Sequence, residues 1–137
     1  MCVNLFITEH PVDMPHALII DDTPANISIM TRLLSDAQFT FTTVADATAL
    51  SEALDHMSAV DIVFTDLNLD GMTGYDVLAI LRQHDLRAPI VACSVYTDEI
   101  VRAREMGFDS FIGYPLKMGQ FIQQVQRILN GEAVWEK

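Results

Sequence analysis

The sequence predicts a doubly wound α/β fold on a parallel sheet, and three observations carry that expectation. Short apolar runs alternate with amphipathic stretches along nearly the whole chain. The runs are rich in β-branched residues and lack clean polar–apolar alternation, as strands buried on both faces do. Two of them, Ala17-Leu18-Ile19-Ile20 and Asp61-Ile62-Val63-Phe64-Thr65, run straight into acids, Asp21-Asp22 and Asp66. In such folds ligands sit at the carboxyl ends of the strands, and that is where the acids fall.

The elements follow in order. Thr23-Pro24 opens a first helix, Thr as cap and Pro in the first turn, with an apolar stripe at Ile27, Met30 and Leu34. Phe39 to Val44 reads as a second strand and Ala47 to His56 as a second helix. After the Asp66 strand comes a Gly-containing loop, then a helix from Gly74 to Gln83 carrying Val77, Leu78 and Leu81. Pro89 to Cys93 is the fourth strand and Thr97 to Met106 the fourth helix, stopped by Gly107 in a left-handed conformation. Ser110 to Gly113 is the fifth strand. The last helix, Lys117 to Asn130, buries Phe121, Val125, Ile128 and Leu129 and ends at Gly131. Short connections between alternating elements imply right-handed crossovers with helices on both faces. Residues 1–15 are expected to be an extension and 132–137 a tail, with no repeat or linker between them.

At 137 residues the chain is long enough for one domain with a single substantial core, and 50% of it is hydrophobic. A net charge of −11 argues against direct binding to nucleic acid or an anionic membrane. Cys2 and Cys93 suggest no disulfide framework, which fits a reducing, cytoplasmic compartment. His10, His16, His56 and His84 share no metal-ligand spacing. Leu5-Phe6-Ile7 is too short an apolar patch for a signal peptide or a membrane span.

Carboxylates that converge at one sheet edge repel each other, so they call for a hard cation, and Mg²⁺ held by a few oxygens and several waters fits best. A carboxylate beside bound Mg²⁺ can accept a phosphoryl group, because the metal neutralises charge on the transferring oxygens. One acidic strand end alone is better explained as a turn or helix cap. Two in one short chain reverse that preference.

Asp21-Asp22, Asp66, Ser94 at the end of the fourth strand, and Phe111 followed by Tyr114-Pro115 together resemble the receiver domain of two-component response regulators. The resemblance covers about Ala17 to Gly131 and includes the order and spacing of all five strands. It implies a flavodoxin-like (βα)5 fold with a five-stranded parallel sheet in the order 2-1-3-4-5. It also implies a phospho-aspartate signalling switch, in which Asp66 takes a phosphoryl group from a histidine kinase or phosphotransfer protein. By the same resemblance Asp22, Asp66 and the Asn68 carbonyl hold Mg²⁺ while Asp21 acts through water. Ser94 would bond the phosphoryl oxygen, Phe111 would change rotamer with it, and Asn68 and Tyr96 would tune water access. Kinase docking is expected on the first helix, around Asn26 and Ile29. The site departs from the family at Tyr114, where receivers carry a lysine, and at Asp70, where they usually carry proline. Lys117 follows three residues beyond Tyr114, but it is not expected to take over the role. Tyr114-Pro115 is a candidate cis peptide.

Two other chemistries meet the same residues. Asp66-Leu67-Asn68-Leu69-Asp70-Gly71 matches the first half of an EF-hand calcium loop, but the twelfth position, which should be a bidentate Glu, is Val77. A haloacid-dehalogenase-like phosphatase would need a second Asp two residues after its nucleophile. Asn68 stands there and cannot exchange a proton at neutral pH. The expectation is therefore a non-enzymatic switch with slow self-dephosphorylation, the runner-up being a pseudo-receiver that binds partners without phosphorylation. No effector is recognisable after Gly131, so output would pass through the receiver surface, to a downstream partner or a missing effector domain. Homodimerisation is left open.

Overall fold

A computed structural model of the chain describes residues 14–57 and 59–137. The first thirteen residues, with Cys2, His10 and the Leu5-Phe6-Ile7 patch, lie outside the described residues. The elements are β1 His16–Ile20, α1 Pro24–Asp36, β2 Thr40–Val44, α2 Ala47–His56 and β3 Ile62–Asp66. A short hairpin of β4 Asn68–Leu69 and β5 Met72–Thr73 follows, then α3 Gly74–Gln83 and β6 Ile90–Ser94. A single 3-10 turn, Thr97–Glu99, leads into α4 Ile100–Met106; β7 Ser110–Gly113, α5 Met118–Leu129 and β8 Trp135–Glu136 complete the chain.

The main sheet runs β2-β1-β3-β6-β7-β8 with every pair parallel. Its first five strands reproduce the expected 2-1-3-4-5 order, and the sixth is new. Residues 132–137, expected as a tail, return beside β7, and Trp135–Glu136 pairs with Phe111–Ile112. Two residues are too few to show a strand period, so nothing in the local sequence marks them.

Alternation along the strands sorts the core into two layers. Ala17, Ile19, Phe64, Val91, Cys93 and Ile112 face α1 and α5, meeting Met30, Leu34, Phe121 and Val125. Leu18, Ile20, Val63, Ala92 and Phe111 face the other way, onto Leu50, Val77, Leu81 and Ala103 of α2, α3 and α4. Each Val, Leu, Ile, Met or Phe among them contributes about 1.5–3 kcal/mol on burial, so both faces hold the sheet beneath the acids.

Local signals act mostly as expected. Gly107 closes α4 at φ 106°, and Asp46 caps α2 by accepting the Ala49 N–H at 2.8 Å. Thr73 and Asp76 form a reciprocal capping box on α3. Thr23 differs: it occupies the cap position of α1 without a side-chain cap bond, and its N–H is drawn to Asp21 Oδ1 at 2.9 Å. The run that matches half a calcium loop is a hairpin turned at Asp70-Gly71, with Gly71 at φ 83°, the left-handed conformation that this tight turn requires. Val77 is buried in α3. None of the described helices is long and apolar enough to cross a membrane.

Candidate functional site

β1 and β3 are adjacent and in register, Ile20 opposite Thr65, so their terminal acids arrive together. Asp21, Asp22 and Asp66 each bring one carboxylate oxygen into a group whose members all lie within 4.8 Å of one another. Asp21 is buried and Asp66 is only 7% exposed. Burial first of all, with the negative charges of Asp21 and Asp22 adding to it and the N–H of Asn68 opposing, raises the Asp66 carboxyl to about 6. The donor set is all oxygen, crowded and short of positive charge, which suits a hard divalent cation. Among the described residues no Lys or Arg is ion-paired with these acids.

Backbone donors fix each carboxylate. Asp66 Oδ1 accepts the Asn68 N–H at 3.0 Å, and Asp21 Oδ1 accepts the Thr23 N–H. Asp22 Oδ2 accepts the Asp70 N–H at 2.7 Å, tying the β4–β5 hairpin back to the end of β1. Asp70 thus enters the site through its backbone.

The other half of the edge is neutral. Ser94 ends β6, fully buried, and its Oγ accepts the Tyr96 N–H at 2.9 Å and the Asn68 Nδ2 at 3.2 Å. Phe111 is fully buried on the same face, one strand over, opposite Ala92. Tyr114 follows β7, its peptide bond to Pro115 is cis, and its hydroxyl donates to Asp21 Oδ2 at 2.9 Å. Burial, helped by Cys93 and Asp21, raises the Tyr114 phenol far above its usual range, so it remains a neutral donor. Where the lysine was expected, the chain therefore places a hydroxyl locked onto one of the acids. Lys117 is exposed at the start of α5, where its charge acts on Glu136.

Beside this edge opens a cleft of about 460 Å³. Asn68 and Tyr96 line it together with Tyr75, Glu99 and Arg102, which puts the two expected access residues on one rim. The Tyr75 hydroxyl donates to Glu99 at 3.1 Å and the Arg102 guanidinium lies 4.6 Å from the Tyr75 ring centroid, a link from α3 to α4. No local pattern marks that link, because its members are 24 and 27 positions apart with no motif between them. On α1, Ile29 is 44% exposed, off the buried Met30–Leu34 stripe.

The comparisons with known proteins agree with this geometry. Residues 17–126 match the family model of the response regulator receiver domain. The chemotaxis protein CheY of Pseudomonas aeruginosa is 29% identical over 115 residues, 81% of this chain and 93% of that protein. The transcriptional regulatory protein KdpE of Mycobacterium tuberculosis is 33% identical over 116 residues, 82% of this chain. The chain spans about half the length of KdpE, and likewise of the DNA-binding response regulators MtrA that it matches. A CheY-like receiver domain from Methylobacillus flagellatus superposes with a TM-score of 0.75 at 26% identity, covering 85% of this chain and 99% of that one. With the strand order and the acids already in place, the chain belongs to the response regulator receiver domain family.

Proposed function

We propose that Asp66 is the phosphoacceptor of this signalling domain, that Asp22, Asp66 and the Asn68 carbonyl hold Mg²⁺ with Asp21 acting through water, and that Ser94 and Phe111 carry the change outward. The observation that carries the reading is the convergence of three carboxylates at the ends of β1 and β3, with the Asp66 proton affinity raised by burial and, to a lesser degree, by its acidic neighbours. An all-oxygen, negatively charged donor set fits Mg²⁺, which when bound neutralises charge on the transferring oxygens.

One Asp66 carboxylate oxygen attacks the phosphorus of a phosphohistidine on a kinase or phosphotransfer protein. The P–N bond breaks, its electron pair returns to the imidazole nitrogen, and an acyl phosphate forms on Asp66. Water later cleaves that acyl phosphate slowly, restoring the carboxylate and releasing phosphate. Ser94 Oγ accepts from Asn68 and Tyr96, so its hydroxyl proton is the group that bonds a phosphoryl oxygen, the loop Val95-Tyr96 moving with it. Exposed Ile29 on α1 supplies an apolar contact for the phosphodonor protein. Output acts through the receiver surface on a protein partner, in the cytoplasm.

The test is mass spectrometry of the protein after incubation with acetyl phosphate and Mg²⁺. A single phosphoryl adduct mapping to Asp66, and absent from Asp66→Asn, is expected. An unmodified chain would favour a phosphorylation-independent binding module, and an adduct elsewhere would refute the assignment.

A further inference from the structure

The two ends of the sheet are finished differently. At one, the outermost strand is β8, only two residues long, with the charged Glu136 in it and the Arg104 guanidinium 5.3 Å from the Trp135 ring. A short, charged edge of that kind resists pairing. At the other end β2 is a five-residue strand whose sheet neighbour is β1. The Thr40 N–H donates to the Pro15 carbonyl and the Asp21 N–H to the Val44 carbonyl, so the main chain of Thr40, Thr42 and Val44 is turned toward β1. The alternate residues, Phe41 and Thr43, turn their N–H and C=O groups outward, where no strand lies among the described residues. This edge is open.

What the edge offers suits a second copy of itself. From Phe39 to Ala45 it carries no charged residue and no proline, in a chain whose net charge is −11. Copies that repel each other elsewhere therefore meet along this strand without like charges in it. Antiparallel pairing about a twofold axis at Thr42 sets Phe41 of each copy opposite Thr43 of the other. Such pairs exchange both main-chain bonds, so every open N–H meets an open C=O. Phe41, 39% exposed, stands on the same face as the core residue Phe39. Across the axis the two Phe41 rings are diagonal neighbours, within reach of aromatic contact. An antiparallel strand added to the edge of an otherwise parallel sheet is a common arrangement in α/β folds. An unrelated extended peptide could meet the same main-chain groups, but a second copy also brings the matching ring.

We propose that β2 is a self-association surface, on which two copies of this chain pair strand to strand, antiparallel about Thr42, into one continuous sheet. The contact is isologous, the same patch on both copies, so it closes at the dimer. β1 separates β2 from β3, so Asp66 stays open in the dimer, and the inference is independent of its being the phosphoacceptor. One strand pair and one aromatic contact make a small interface, so the dimer forms and dissociates with concentration.

Sedimentation velocity of the full chain from micromolar to millimolar concentration measures the association. The expected result is a monomer–dimer equilibrium whose dissociation constant rises at least about tenfold in Thr43→Pro, which deletes the outward N–H in both copies and leaves the bonds to β1 in place. Phe41→Lys, which sets an ammonium on each side of the axis, should do the same. Far-ultraviolet spectra and Tm confirm that each variant is folded. Cross-linking reads the register. In a Cys2→Ser background, Thr42→Cys brings two thiols to a non-hydrogen-bonded pair, with Cα atoms about 4.5 Å apart, and should oxidise to a disulfide-linked dimer. Thr40→Cys, two residues from the axis, should not. A monomer at every concentration overturns the proposal, whether residues 1–13 or another protein's strand takes the edge. A dimer that both Thr43→Pro and Phe41→Lys leave intact, or that cross-links through Thr40→Cys and not Thr42→Cys, overturns it as well.

Discussion

The carboxyl edge of the sheet is two unlike halves. Where β1 and β3 end, three carboxylates crowd within 4.8 Å, and burial with like charge pushes Asp66 up to about 6. Where β6 and β7 end, the side chains are neutral hydroxyls: Ser94 accepts from Asn68 and Tyr96, and Tyr114 donates to Asp21. Between the described residues no fixed cation bridges the halves. This edge is therefore incomplete in charge while nearly complete in hydrogen bonding. On the proposed reading its compensation comes from a divalent cation, and the neutral half orients.

The largest effect should follow from striking the charged half. Asp22→Ala removes a proposed metal ligand and should abolish the rise in Tm that saturating Mg²⁺ gives the wild type by mass action. If the wild type shows no rise with Mg²⁺ and binds Ca²⁺ tightly instead, the hard-cation account of this edge is wrong.

Proton linkage tests the same crowding without metal. Folded Asp66 takes up its proton near pH 6, against 3.8 ordinarily, so the folded state binds that proton more tightly than the unfolded chain. The stabilisation this gives is full below about pH 4 and is lost as pH rises through about 6. In EDTA, Asp66→Asn should therefore be more stable than wild type at pH 7, by on the order of 1–3 kcal/mol. The gap should close toward pH 4. Urea titrations at the two pH values measure it, and a gap independent of pH would mean that the crowding costs nothing.

How legible this edge was differed between the halves as well. Asp21, Asp22 and Asp66 could be placed from sequence because each directly follows an apolar run, and a parallel sheet brings strand ends together. β1, β3, β6 and β7 were legible for the same reason, each being a largely buried run of four or five residues, whereas β2 is a mostly exposed edge strand. Tyr114 could be seen as a departure from the lysine pattern, but its bond to Asp21 spans 93 positions and depends on the path after β7. β8 was invisible, since its pairing is dictated by Phe111 and Arg104, far away in the chain. Sequence reveals what a local period or a strand end encodes; partners chosen by the assembled sheet wait for the fold.

Cutting the tie from Tyr114 to the charged half should cost less. Tyr114→Phe keeps the buried ring and deletes the hydroxyl that Asp21 Oδ2 accepts. Asp21 retains the Thr23 N–H, and the lost bond goes to a charged acceptor, so a destabilisation of about 1.5–3 kcal/mol is expected, shrinking once Mg²⁺ is added. A variant as stable as wild type in EDTA would show that the tie is incidental.

The smallest and most discriminating change adds the missing charge. Tyr114→Lys puts an ammonium where the neutral half meets Asp21, and two effects oppose each other there. The site is buried, so desolvation and the lost ring packing disfavour the lysine. The three acids favour it, as a charge-assisted bond is roughly twice as strong as the one it replaces. The two nearly cancel in net stability, so the readable quantity is the response to metal. With a cation already supplied by the chain, the Mg²⁺-induced rise in Tm should shrink, and coupling from Asp66 to Ser94 should strengthen, seen as a larger phosphorylation-induced spectral change. If Tyr114→Lys leaves the Mg²⁺ response and the spectral change both untouched, the two halves do not communicate through charge. The site would then work without the cation because its hydroxyls already carry the switch.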